Sequence, residues 1–240
     1  MEYQTYKGVV CRKGNRTDRS MINDCIENYK HFNFTPGSVV LDFGANIGGF
    51  AHMCKNPNIV QYIGFEADPD NFQVLSNNIP DYGIIYHAAV SHLRDEKLTF
   101  HRTPTSQGSC SGTVTPSKST IKRRSLKYDV LNFYINDLLE SYKPTHLKMD
   151  IEGTEFEWFE SNDGKIPSHI NEFALEIHNH KKIYKFVELW YNSIVKDFDI
   201  VNVAPEVGFR NNVPFEVPEL GIKEEKGGTM WGVDIFMRRK

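Results

Sequence analysis

The feature that most constrains this chain is the stretch Val39-Val40-Leu41-Asp42-Phe43-Gly44-Ala45-Asn46-Ile47-Gly48-Gly49-Phe50, an apolar run that ends in an acid and then a glycine-rich turn. A short apolar run bounded by glycine reads as a buried strand, and the residues beyond it as the start of a helix. Strand, tight turn and helix in that order open an α/β unit whose ligand lies beyond the carboxyl end of the strand. Gly44 and Gly48 suit close approach of backbone to such a ligand, since neither carries a Cβ. Charge then selects among ligands. A helix N-terminus attracts phosphate, but Asp42 stands immediately before the first glycine and would repel it. A cationic or zwitterionic group is expected instead.

A second acid extends the argument. Gln61-Tyr62-Ile63-Gly64-Phe65-Glu66 is another short apolar strand, and its terminal carboxylate lies 24 residues beyond Asp42. Near that distance, the acid at the tip of the second strand accepts hydrogen bonds from ribose hydroxyls. One carboxylate for an ammonium-bearing group and one for a ribose, with no phosphate, describes S-adenosylmethionine.

A length of 240 residues supports one sizeable core. The formal net charge of -3 disfavours a general nucleic-acid-binding surface. Cys11, Cys25, Cys54 and Cys110 are scattered without close pairs, as thiols of a reducing compartment would be. No apolar run is long enough to span a bilayer, so a cytoplasmic protein is expected.

Alternating patterns continue along the chain. Further strands are expected at 84–90, 98–101, 128–134, 146–153 (ending in acids and glycine), 172–177, 198–203 and 231–237, and helices at 18–30, 68–78, 154–159 and 181–195. Residues 1–37 read as an N-terminal helical extension, and 103–127 and 209–228 as long loops, in one domain over 1–240. A mostly parallel sheet with an antiparallel strand near its end follows. In such a sheet Asp42, Glu66, Asp150, Glu152, Glu176 and His178 all gather at strand ends.

Val-Leu-Asp-Phe-Gly-Ala-Asn-Ile-Gly at 40–48, Gly-Phe-Glu-Ala-Asp-Pro at 64–69, Ala-Ala-Val-Ser at 88–91, Leu-Lys-Met-Asp-Ile-Glu-Gly-Thr-Glu at 147–155 and Leu-Glu-Ile-His at 175–178 together resemble the FkbM family of S-adenosylmethionine-dependent methyltransferases. The resemblance implies a Rossmann-like class I methyltransferase fold, with a seven-stranded mostly parallel sheet, one antiparallel strand and helices on both faces. It implies O-methylation of a hydroxyl on a sugar, glycan or other small metabolite. It would set Asp42, Gly44, Ala45, Asn46 and Gly48 against the methionine end of the cofactor, Glu66 on the ribose, and Ala88 and Ala89 beside the adenine. Gly108-Ser109 resembles an element of some members, which would bring Ser109 to the cofactor.

A sugar hydroxyl needs a base or a metal before it attacks a sulfonium. His178, with an ordinary pKa near 6.5, or Asp150 is the expected base, and Glu152 the group that orients substrate or fixes the Gly153 turn. A divalent ion on Asp150, Glu176 and His178 suits the ligand chemistry, but no spacing names a metal and none is assigned. Other readings stay open at this point. Lys118, Lys122, Arg123 and Arg124 would serve a nucleic-acid methyltransferase, an NAD oxidoreductase would share the glycine turn, and a non-catalytic module would keep the fold alone.

Overall fold

The computed structural model of the chain describes residues 1–102, 112–114, 126–208, 216–222 and 229–240. The central strand β3 (Ser38–Phe43) is paired in parallel with β4 (Ile59–Glu66) on one side and β8 (His146–Met149) on the other. Being central and covered on both faces, it carries apolar residues on both: Val40, Leu41 and Phe43 are all fully buried. β5 (Gly83–Ser91) lies outside β4, and β9 (Glu172–His178) outside β8. Successive strands therefore leave β3 in opposite directions, and the crevice between β3 and β8 is the switch point where α/β sheets bind ligands.

The last strands, β10 (Phe198–Gly208) and β11 (Thr229–Arg239), complete that half, β11 running antiparallel to both β9 and β10. At the opposite edge β7 (Leu126–Tyr134) pairs in parallel with β5, and β6 (Lys97–Arg102) runs antiparallel to β7. The sheet thus has nine strands in the order β10-β11-β9-β8-β3-β4-β5-β7-β6. The expected count of seven strands with one antiparallel is corrected: β6 and β7 add a pair at the edge, and β6 and β11 both run against the rest. Phe100 and Val130 explain the addition, since they bury themselves with Ala89 of β5 in a small core of their own.

Helices cover both faces, as the sequence predicts. Alternation sends Leu41, Phe43, Leu147 and Met149 to one face, against α4 (Ile135–Tyr142), α5 (Glu155–Ser161) and α6 (His180–Phe186). It sends Val40 and Tyr62 to the other, against Tyr29 of α1 (Arg16–Tyr29), Phe50 of α2 (Gly49–Met53) and Leu75 of α3 (Pro69–Leu75). The long helix expected at 181–195 is α6 continued through a π-helical turn, Val187–Tyr191, into α7 (Asn192–Asp197).

The N-terminus departs from the helical extension. Before α1 the chain forms a hairpin of β1 (Tyr3–Tyr6) and β2 (Val9–Arg12), turned by Lys7 and Gly8 with φ of 50° and 85°. Positive φ at both turn residues matches the twist of paired strands. The hairpin then buries Val9 and Cys11 with Ile22 of α1 and Val74 of α3. Among the described residues no helix is long and apolar enough to cross a membrane, and Cys11, Cys25 and Cys54 are free thiols.

Candidate functional site

The turn after β3 is built by protein contacts before any ligand is considered. Gly44 and Ala45 donate their N–H groups to the Phe65 carbonyl at 3.0 and 2.8 Å, and Gly44, Asn46 and Gly48 all take positive φ. A Cβ on Gly44 would stand 1.7 Å from the Asp150 carbonyl oxygen, and one on Gly48 2.7 Å from Asn78 Cβ. The expectation that these glycines clear space for a ligand is corrected. They let the β8 end and the segment after α3 close onto the turn.

Asp42 is likewise turned inward. It is fully buried, accepts a 2.6 Å hydrogen bond from Tyr62 Oη, and lies 3.2 Å from Lys148 Nζ. Its carboxylate points inside the sheet, and its Oδ1 accepts no hydrogen bond from the described residues. Lys148 carries the consequence to the surface of the site. Its ammonium also donates to the Gly44 carbonyl at 2.7 Å and lies 3.9 Å from Asp150 Oδ2. Burial opposes the charge on Lys148, but Asp42 and Asp150 outweigh it and hold the ammonium above its ordinary pKa. Sequence reasoning passed over this residue, although a lysine between Leu147 and Met149 in a buried strand was a signal.

Glu66 stands where the sequence places it, at the end of β4 and on the wall of a first cavity. Its oxygens accept from Asn46 N at 2.7 Å and Asp68 N at 2.8 Å. Burial raises its pKa to about 7, against the lowering effect of those two N–H donors. Ala88 and Ala89 line the same cavity with Val90, Phe100 and Val114, an apolar slot beside a carboxylate. Gly44 and Asn46 line it too, whereas Ser109 and the basic cluster at 118–124 lie outside the described residues.

A second cavity opens on the other side of the turn. Helix α1 forms its outer wall with Met21, Asp24, Asn28 and Tyr29, and Ala45, Lys148 and Glu176 line its inner one. Asn28 Nδ2 donates to Asp234 Oδ2 at 2.6 Å, tying α1 to the last strand across 206 positions. Gly44, Asn46 and Asp150 border both cavities, so the two meet at the β3 turn and the β8 end. The contribution of α1 was not legible in its sequence, where only the core-facing periodicity showed.

At that seam the structure brings together the expected acids and histidine. His178 Nε2 lies 3.0 Å from Glu176 Oε1, 3.3 Å from Glu152 Oε2 and 4.0 Å from Asp150 Oδ1. On its other side Nδ1 is 3.2 Å from Glu155 Oε1. Glu155, almost wholly buried, also accepts from the backbone N–H groups of Ile151 and Gly153 at 2.9 Å, so it, and neither Asp150 nor Glu152, secures the start of α5. Glu152 and Asn179 hold φ of 58° and 79°, conformations that cost energy for residues with a Cβ. Burial opposes a charge on His178, but Glu176, Glu152 and Glu155 hold its pKa well above the usual value. Burial and the neighbouring carboxylates raise the pKa of Glu176 as well, so His178 and Glu176 compete for a proton. Asp150 is one-fifth exposed and faces both cavities.

A family profile described as the methyltransferase FkbM domain matches residues 42–204. None of the curated protein sequences matches the chain. Among solved structures it is similar to TYW2 of M. jannaschii in complex with AdoMet, at 13% identity, over 99% of this chain and 86% of that one, with a TM-score of 0.45. TYW2 of P. horikoshii in complex with MeSAdo is similar at 13% identity, over 99% and 70%, with a TM-score of 0.46. Precorrin-6y C5,15-methyltransferase of Geobacter metallireducens is similar at 12% identity, over 98% and 92%, with a TM-score of 0.42.

Proposed function

The chain belongs to the FkbM methyltransferase domain family, and on that premise we propose that it moves a methyl group from S-adenosylmethionine to a hydroxyl of a sugar or other small metabolite. The observation that carries this reading is the pair of cavities meeting at Asp150. The methyl donor occupies the first, its ribose on Glu66 and its adenine between Ala88, Ala89 and Phe100. The turn residues Gly44 and Asn46 face its amino acid end, with Ala45 on the acceptor side of the same turn, and the Asp42–Lys148 pair supports them from below. The acceptor occupies the second, under α1, where Asp24, Asn28 and Glu176 offer hydrogen-bond partners to hydroxyls. The position of this cavity under α1 favours a small acceptor over a nucleic acid strand.

Methyl transfer is an in-line displacement, and holding the two reactants in line supplies most of the acceleration. The acceptor oxygen forms a bond to the methyl carbon as the carbon–sulfur bond breaks, leaving a neutral thioether. The hydroxyl proton passes to the Asp150 carboxylate, the one acid common to both cavities, while Glu152 orients the acceptor. The free thiols accord with a reducing, cytoplasmic setting.

The test has two arms. Calorimetry compares S-adenosylhomocysteine with NAD; binding of the first alone is expected, and binding of NAD alone overturns the donor assignment. Tritiated methyl transfer is then measured against monosaccharides, sugar nucleotides and total RNA. Label on sugar hydroxyls is expected, and label confined to RNA would replace this reading with a nucleic-acid methyltransferase.

A further inference from the structure

We propose that His178, Glu176 and Asp150 form a divalent-cation site of the manganese class at the seam of the two cavities. The proposal rests on the reading of that seam as the place of reaction. Around a hard ion with ligands at about 2.1 Å, adjacent ligand atoms of an octahedron stand about 3.0 Å apart and opposite ones about 4.2 Å. The separations from His178 Nε2, 3.0 Å to Glu176, 3.3 Å to Glu152 and 4.0 Å to Asp150, fall within that span. The three proposed ligand atoms all lie within 4.8 Å of one another. One imidazole among carboxylates suits manganese, which accepts nitrogen more readily than magnesium does.

Two further observations point to a cation. Glu176 and Asp234 are directly opposite each other in the β9–β11 ladder, each more than nine-tenths buried. Like charges directly opposite destabilise a sheet; Asn28 Nδ2 of α1 donates to Asp234, and Glu176 faces His178 Nε2 at 3.0 Å. A cation at Glu176 relieves the repulsion. His178 is also oriented as a ligand would be: its Nδ1 faces the buried carboxylate of Glu155, which leaves Nε2 directed at Glu176 and Asp150. Metal-bound histidines are held in this way, by an acid on the ring nitrogen remote from the ion. The ion would replace the Nε2 proton, hold the acceptor oxygen and make its hydroxyl more acidic.

The experiment titrates the whole protein with manganese(II) chloride, following the free-ion electron paramagnetic resonance signal and the calorimetric heat. One equivalent is expected to bind, and Glu176→Gln and His178→Gln are each expected to weaken it at least about tenfold. S-adenosylhomocysteine, held by Glu66 in the other cavity, should bind each variant within about threefold of the parent, which shows that the variants are folded. If one variant fails that check, the other decides. A parent that binds S-adenosylhomocysteine but no manganese, or manganese affinity unchanged in the folded variant, overturns the ion site and leaves the methyltransferase reading intact. Manganese binding without S-adenosylhomocysteine binding keeps the site and overturns the cofactor assignment instead.

Discussion

Gly44 and Asp150 are in contact through the backbone: a Cβ on Gly44 would stand 1.7 Å from the Asp150 carbonyl oxygen. No rearrangement short of parting β3 from β8 makes room for it. Gly44→Ala is expected to cost more than about 3 kcal/mol, the range of severe core disruptions, and to abolish S-adenosylhomocysteine binding. Gly37→Ala is the control, since Gly37 shares the positive φ but has nothing within 4 Å of its would-be Cβ. It should lose only the backbone penalty of about 1–2 kcal/mol. Urea midpoints of the two variants measure the contrast.

Glu66 predicts opposite pH trends for stability and for binding. Burial raises its folded pKa from 4.5 to about 7, with Asp68 adding repulsion and Lys148 and two N–H donors opposing it. Its contribution to stability is therefore complete below about pH 4.5 and lost as pH rises to about 7. Ribose hydroxyls donate to the ionised carboxylate, so S-adenosylhomocysteine should bind about tenfold more tightly at pH 8.5 than at pH 6. Calorimetry at the two pH values checks this, and Glu66→Gln should bind weakly with a flat profile.

Lys148 compensates two acids at once. Lys148→Met leaves Asp42, fully buried, facing Tyr62 without the ammonium, and removes the ammonium 3.9 Å from Asp150. Removing one partner of a buried pair costs about 3–5 kcal/mol. The double variant Lys148→Met with Asp42→Asn should recover part of that loss in denaturant titration. A double variant no more stable than the single one would show that Lys148 acts through the Gly44 carbonyl.

Much of the fold was legible because its signals are local. The apolar runs at 39–43 and 146–149 and the acids that end them are set by burial on both faces of a parallel sheet, and burial is written in composition. What those acids do was not legible. Asp42, Gly44 and Gly48 look like ligand groups from their spacing, yet their partners are Lys148, Asp150 and Asn78, each distant along the chain. The N-terminal hairpin escaped notice because Lys7-Gly8 is a weak turn signal and each strand has only four residues. His178 was read from its solution pKa, and the carboxylates that change it come from three other segments or register positions.

Asn78 joins that hairpin to the glycine turn. Its Oδ1 accepts from Val10 N at 2.8 Å, and its Nδ2 donates to the carbonyls of Val10 at 2.9 Å and Ile47 at 2.6 Å. Asn78→Ala is expected to lose about 2 kcal/mol, since it leaves buried backbone groups without partners. Limited trypsin digestion should then cut at Lys7, Lys13 and Arg16 well before the parent is cut there.

Asp150→Asn separates chemistry from binding. With an acceptor identified by tritium transfer, turnover should fall by about 10²–10⁴-fold, the usual range for a lost proton acceptor. S-adenosylhomocysteine affinity should change by no more than a few-fold. Full turnover in this variant would move the proton acceptor elsewhere.

The bond between Asn28 and Asp234 gives the chain an order of assembly. The glycine turn, Glu66 and the alanines of β5 are all translated within the first ninety residues, but the outer wall of the second cavity is not anchored until residue 234 arrives. Both cavities thus wait on residues far along the chain, the first on Asp150 and the second on Asp234.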